Sequence, residues 1–201
     1  MLNVYQKRQV HMQTIIFNGS PRKHGDTMAL VAELMRHLDG ETHVVNAYDG
    51  DIAACTDCRW CWQHPGCAIR DGMQRVYDLL EGADNVVIAS PVYFSELNGQ
   101  LLAVMSRLQT YYAARVIRKE PQPLTRKAGA LILAAGGDTY DWTLSTGTAN
   151  VLFRMMNAES IGAVISSNTD KVPAAQDVAA LNEVRLLALR LNEMHGGGAE
   201  Q

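Results

Sequence analysis

The sequence predicts an α/β fold in which a parallel β-sheet is covered by helices on both faces. Three observations predict it. Five short apolar runs alternate with segments whose apolar residues recur at helical spacing. Several runs are continuously apolar and rich in β-branched residues, as strands buried on both faces are, and each parallel crossover must lay its helix on a face of the sheet. No internal repeat, low-complexity segment or linker divides the 201 residues, so a single domain over residues 12–195 is expected, with flexible tails at 1–11 and 196–201.

The elements follow in order. Residues 1–11 are polar and unpatterned. Thr14-Ile15-Ile16-Phe17 reads as a buried strand, and Val31, Leu34, Met35 and Leu38 follow at helical spacing. Thr42 to Val45 is a weaker second strand. A cysteine-rich insertion at 55–67 precedes a helix over Asp71 to Leu80, with Met73, Val76, Tyr77 and Leu80 on one face. Asn85 to Ser90 is the third strand, and Leu101, Met105, Leu108 and Tyr112 define one long helix. Gly129 to Ala135 is the fourth strand, Leu144 to Met156 a helix, and Ile161 to Ile165 the fifth strand. Pro173 opens the last helix, with Leu181, Val184, Ala188 and Leu191 inward, and Gly196-Gly197-Gly198 ends it.

Composition narrows the classes of function. A formal net charge of -3, with Lys and Arg scattered, gives no electrostatic reason to expect nucleic acid or an anionic membrane as partner. No run approaches the roughly 18 apolar residues that span a bilayer, and the N-terminus carries no apolar stretch with a small-residue cleavage site. A cytoplasmic protein is expected. In a reducing compartment, four clustered cysteines point to metal or redox chemistry rather than a disulfide framework.

In open sheets of this kind, ligands sit beyond the carboxyl ends of strands, so the loops after the first, third and fourth strands matter most. The first is Gly19-Ser20-Pro21-Arg22-Lys23-His24-Gly25-Asp26-Thr27. Gly19 and Gly25 allow tight turns, Ser20 and Thr27 offer hydroxyls, Arg22 offers a fork of donors, and the following helix adds unpaired N–H groups. The set suits a phosphate monoester, and equally a plain strand-to-helix turn capped by Asp26 or Thr27. It is neither a Walker loop nor G-x-G-x-x-G. The third strand runs into Pro91-Val92-Tyr93-Phe94, whose aromatics either border a planar ring or pack as core. The fourth ends in Gly136-Gly137, where backbone can approach a ligand closely. One phosphate-type loop and two ring-type loops on one edge fit a mononucleotide with a flat heterocycle.

The four cysteines form the run Cys55, Cys58, Cys61 and Cys67, spaced C-x2-C-x2-C-x5-C. Three thiolates three residues apart can converge on one centre, and Pro65-Gly66 lets the fourth swing back. An iron-sulfur cluster, free or disulfide-forming thiols, and a Cys3His zinc completed by His64 all accommodate this spacing. Trp60 and Trp62 flank Cys61, either as a shield or as interface anchors.

Taken jointly, Gly19-Ser20-Pro21-Arg22, the loop Pro91 to Phe94 with Gly99-Gln100-Leu101 and Arg107 after it, and the cysteine run resemble the flavodoxin-like NAD(P)H-dependent FMN reductases. More narrowly, they are similar to the iron-sulfur flavoproteins, to which the x5 gap corresponds. The resemblance implies a three-layer flavodoxin-like sandwich of strand order 2-1-3-4-5 that binds FMN. Ser20, Arg22, Gly25 and Thr27 would meet its phosphate, Pro91, Val92, Tyr93 and Phe94 would border the isoalloxazine, and Gly136 and Gly137 would close the other side. It implies NAD(P)H as donor and a quinone, flavin or nitroaromatic as acceptor. Alternatively, a 4Fe-4S cluster on Cys55, Cys58, Cys61 and Cys67 would relay electrons to a protein such as ferredoxin. Assembly as a homodimer or homotetramer is part of the same expectation. The chain departs from the family pattern at Asp26, where Asn is usual, at Ser106, where Asp is usual, and at Leu102-Ala103, where a Lys is missing. Flavin chemistry requires positioning more than proton transfer, so no general acid or nucleophile is nominated.

Overall fold

The computed structural model describes residues 11–138 and 141–196. Most of the two expected tails, residues 1–10 and 197–201, lies outside the described residues, as does the side chain of His195.

The chain opens with β1 (Gln13–Asn18), α1 (Asp26–His37) and β2 (Glu41–Asn46), followed by the long loop that carries the cysteines and a single short helix, α2 (Trp60–Gln63). α3 (Met73–Gly82) leads into β3 (Asn85–Tyr93), a two-residue β4 (Glu96–Leu97) and α4 (Gly99–Met105). After a 3-10 turn at Ser106–Leu108 come α5 (Gln109–Tyr112) and a π-turn at Ala113–Ile117. Then follow β5 (Lys127–Ala134), α6 (Thr143–Met155), β6 (Ala158–Ser166), a 3-10 turn at Ala174–Gln176 and α7 (Val178–Gly196).

Five strands pair in parallel in the order β2-β1-β3-β5-β6, and β4 folds back antiparallel onto β3. This is the flavodoxin-like order that the family resemblance implies. Alternation along the central strands divides the core between two faces. Ile15, Phe17, Val86 and Ile88 pack with Leu80 of α3, Leu101 of α4 and Phe153 of α6, whereas Ile16, Val87, Ala130 and Ile132 pack with Leu34 of α1 and Val184 and Leu187 of α7. All of these side chains are buried. The return from α1 to the sheet needs Gly40, whose φ is +78° and whose Cβ, were there one, would lie 2.0 Å from the Met12 carbonyl oxygen.

Three expectations change. The helix expected through Leu101 to Tyr112 is broken at Ser106, because the Ser106 hydroxyl bonds back to the Ala103 carbonyl at 2.6 Å. Tyr77 also donates to the Arg107 carbonyl at 2.8 Å. Pro173 opens only a 3-10 turn, and Asp177 caps α7 by accepting from the Ala180 N–H at 3.0 Å. Gly196 is the last residue of α7 rather than part of a loose tail.

Candidate functional site

Asn18, the last residue of β1, starts the first loop and fastens it on two sides. Its carboxamide oxygen accepts from the Ser20 N–H at 2.9 Å, and its NH2 donates to Asn46 Oδ1 at 2.9 Å. The Gly19 N–H reaches the Ala89 carbonyl at 2.8 Å. A Cβ on Gly19 would stand 3.0 Å from Leu101 Cβ and 3.2 Å from Ser90 Oγ, so the first loop lies directly against the third. The Ser20 hydroxyl turns into its own loop, accepting from the Arg22 N–H at 3.2 Å and donating to the Arg22 carbonyl at 3.1 Å. Gly25 is the N-cap of the twelve-residue α1 and supplies no side-chain cap. Amides of the first helical turn therefore keep their capacity for an anion at the positive end of the helix dipole.

Asp26 does not cap α1, because it is itself the first helical residue. Its carboxylate accepts from the Ala174 N–H at 3.0 Å and pairs with Arg22 at 3.1 Å. The Arg22 charge thereby offsets the one negative group at this helix start, with the guanidinium still largely exposed.

The third loop is a tight hairpin. Val92 and Tyr93 pair with Leu97 and Glu96, and the two turn residues, Phe94 and Ser95, have φ of +55° and +63°. Such a turn favours Asn-Gly, and left-handed backbone at other residues costs about 1–2 kcal/mol each. What it achieves is display. Phe94 is 98% exposed and Tyr93 47%, so neither packs as core, whereas Val92 is buried. Glu96 ties the hairpin to α6 by accepting from the Thr148 hydroxyl at 2.7 Å. Asn98 caps α4, accepting from the Gln100 and Leu101 N–H groups at 2.8 and 3.3 Å, and its NH2 reaches the Tyr48 hydroxyl at 3.0 Å.

The loop after β5 is anchored differently. Gly137 O accepts from the Asn168 N–H at 2.7 Å, and a Cβ on Gly136 would lie 2.5 Å from the Asp170 carboxylate. The close approach that Gly136 permits is thus to the loop after β6. All three loops leave carboxyl ends of neighbouring parallel strands, on one edge of the sheet.

The four cysteines come together. Cys55, Cys58, Cys61 and Cys67 all line one cavity of about 140 Å³, with Trp60, Trp62 and Arg107. None is in a disulfide. Left-handed backbone at Asp57, Arg59 and Gly66 coils the loop. Around it the aromatics are braced by cations and rings: Arg59 lies 4.8 Å from the Trp62 ring centre, and Trp60 and His64 rings stack at 4.0 Å. Arg118 donates to the Cys61 and His64 carbonyls.

Both ends of the loop are tied to one buried residue. Arg107 Nη1 donates to the Ala53 carbonyl at 2.9 Å and to Asp71 Oδ2 at 2.7 Å, while Nη2 donates to the Ile69 carbonyl at 3.1 Å and to Asp71 Oδ1 at 3.2 Å. Asp71 in turn accepts from the Ala53 and Met73 N–H groups. Burial alone would raise the Asp71 carboxyl, but the Arg107 guanidinium and these N–H groups hold it below the usual carboxylate range. Ser106 adds a third tie by accepting from the Cys55 N–H at 2.9 Å.

A profile of the NADPH-dependent FMN reductase family matches residues 12–170. The chain belongs to that family. Among curated relatives of this chain, an iron-sulfur flavoprotein of Methanocaldococcus jannaschii is 32% identical over 99 residues, 48% of this chain and 51% of the relative. One of Archaeoglobus fulgidus is 31% identical over 124 residues, 60% of each chain. The matches therefore span only about half to three-fifths of those relatives. Among solved structures, an NAD(P)H:quinone oxidoreductase of Methanothermobacter marburgensis superposes with a TM-score of 0.68 at 14% identity, over 90% of this chain and 96% of the other. It supports the fold.

The residues of this chain fit a flavin mononucleotide on two counts: amides at the start of α1 are left without a side-chain cap, and the aromatic hairpin stands outside the core. Burial first, and then the negative charge of Cys55 and its neighbours, pushes the Cys61 thiol up, which favours its protonated form. Among the described residues, no three His, Cys, Asp or Glu side chains are placed to hold a single metal ion. Sequence reasoning named Arg107 and Ser106 only as family landmarks and missed Asp71 and Asn98 as anchors. The signal for Asn98 was its place just before an apolar helical run; Asp71, 36 residues from Arg107, gave none.

Proposed function

We propose that this chain is an FMN-dependent oxidoreductase that takes electrons from NADH or NADPH in the cytoplasm. The observation that carries the reading is the packing of the first loop, which runs on to the uncapped start of α1, against β3 and α4 at Gly19, the two elements that the exposed Tyr93-Phe94 hairpin joins. When bound, FMN supplies the redox chemistry, accepting a hydride and releasing electrons singly or in pairs. Ser20, Gly25 and Thr27, with the first-turn amides of α1 and the nearby Arg22, would hold the phosphate. Pro91 to Phe94 would border the ring and leave an apolar approach for a quinone, free flavin or nitroaromatic.

A second reading is favoured by the shared cysteine cavity. Cys55, Cys58, Cys61 and Cys67 would hold a 4Fe-4S cluster that serves as the electron outlet to a protein such as ferredoxin. The two sites lie at opposite ends of α4, separated by roughly 12 Å of helix from Asn98 to Ser106. The names of the curated relatives support this reading, as does the cavity that the four cysteines share.

The test is anaerobic purification followed by absorption spectroscopy, iron and sulfide analysis, and NAD(P)H oxidation with a quinone. Flavin without iron, together with rapid quinone turnover, supports the small-molecule reductase. Iron and sulfide in equal amounts alongside flavin support the relay. A colourless protein that takes up no added FMN sinks both.

A further inference from the structure

The 18 Lys and Arg residues are scattered along the sequence, but folding gathers three of them. Arg115 of the π-turn, Arg126 just before β5 and Arg154 in the last turn of α6 line one cavity of about 410 Å³, together with Asn157, Ala158 and Glu159. This cavity lies at the amino ends of β5 and β6, where Lys127 pairs with Ala158. The eight residues of β5, roughly 25 Å of strand, separate it from the sheet edge that carries the three loops. It is therefore distinct from the proposed flavin face.

Structural duties use little of this charge. Arg126 pairs with Glu159, the one carboxylate among the described residues that line the cavity. Arg115 uses one of its five donors, Nη1 on the Arg154 carbonyl at 3.3 Å, at the negative end of α6. The Arg154 side chain is exposed, and its guanidinium bonds to no described residue. The wall itself is held without the guanidinium groups. Asn157 adopts a left-handed φ of +56°, its NH2 donates to the Leu124 carbonyl at 2.8 Å, and its carbonyl accepts from the Lys127 N–H at 3.0 Å. Three cations thus face one carboxylate in a chain whose formal net charge is -3. Like charges held around one cavity repel, and an anion among them relieves that repulsion.

We propose that Arg115, Arg126 and Arg154 form a second binding site, for a small phosphorylated molecule such as a phosphate ester or a diphosphate. Guanidinium forks match phosphate oxygens two at a time, and the cavity has the size of a small-molecule site rather than that of a single ion. Because Arg126 is shared with Glu159, the free donors are chiefly those of Arg154 and Arg115. The arginines line a cavity rather than stand along a flat face, which favours a small ligand over the acidic surface of a protein. The site needs neither the flavin nor the cluster reading.

The test titrates wild type, Arg154→Gln and Arg22→Gln with pyrophosphate in a calorimeter at constant ionic strength, and melts each protein with and without it. Because the first loop also suits a phosphate, the deciding quantity is the binding that Arg154→Gln loses and Arg22→Gln retains. Wild type is expected to bind pyrophosphate at this site and to melt higher with it. Arg154→Gln is expected to bind there about tenfold more weakly, with a Tm in the absence of the anion that is unchanged or higher, since a like charge has been removed. A lower Tm for Arg154→Gln without anion, with pyrophosphate affinity unchanged, assigns the arginine to folding and overturns the inference. Equal binding by wild type and Arg154→Gln, or binding lost only in Arg22→Gln, overturns it as well. Should wild type bind poly-glutamate in an Arg154-dependent way but no pyrophosphate, the small-ligand site is overturned in favour of an acidic protein partner.

Discussion

The two ends of α4 are built by different means. At Asn98 the loops proposed to face the flavin are set largely by backbone: parallel strand ends, the uncapped start of α1, a two-residue hairpin and one N-cap. At Ser106 the cysteine loop is set by side chains, with Arg107 gripping Ala53, Ile69 and Asp71 and Ser106 gripping Cys55. A backbone-built face distributes its geometry over the whole sheet, so a single side chain alters it little. A side-chain-built loop concentrates its geometry in one buried ion pair. The proposed flavin face and the cysteine loop are thus expected to fail independently.

The largest effect expected is from Asp71→Ala, which leaves the Arg107 charge buried and unpaired. Losing one partner of such a pair costs about 3–5 kcal/mol, measured as a fall in the urea midpoint. Iron retention should go with it. The pair also has a pH signature. Because the folded Asp71 carboxyl sits below its usual range, the stability it contributes is complete above about pH 4 and is lost as pH falls through the lower folded value. Urea unfolding across acid pH should show this slope in wild type and a flatter one in Asp71→Asn. Equal slopes would mean that the clamp is not what acid breaks.

Asn98→Ala is the matching change at the other end. It removes the acceptor for the Gln100 and Leu101 N–H groups and the partner of Tyr48, at a cost of about 1 kcal/mol. FMN affinity should weaken several-fold in a fluorescence titration, with iron content unchanged. A parallel loss of iron would break the contrast between the two ends.

The same contrast explains what could be read from the sequence. The strand order and the loops at one sheet edge follow from periodicity and family likeness, because regular elements write their burial into local spacing, as Ile15, Ile16 and Phe17 do. The cysteine run was legible as four thiols but not as a cavity. Its shape comes from left-handed backbone at Asp57 and Arg59 and from an arginine 36 residues beyond Asp71, neither of which has a local pattern. Helix periodicity was misleading at Ser106, where a hydroxyl that bonds back to Ala103 breaks the helix while the apolar spacing continues.

Ser106→Ala separates holding the loop from folding it. The variant loses the 2.9 Å bond to the Cys55 N–H, worth about 0.5–1.5 kcal/mol net, but it also removes the back-bond that disturbs the helix, so global stability should change by less than about 1 kcal/mol. Cys55 sits at the start of the run, two residues past the Arg107 grip on Ala53. Without Ser106, that first thiolate is held from one side only. Iron should therefore leave faster in air, with FMN affinity and the unfolding midpoint near wild type. An unchanged rate of iron loss would show that Arg107 alone fixes Cys55.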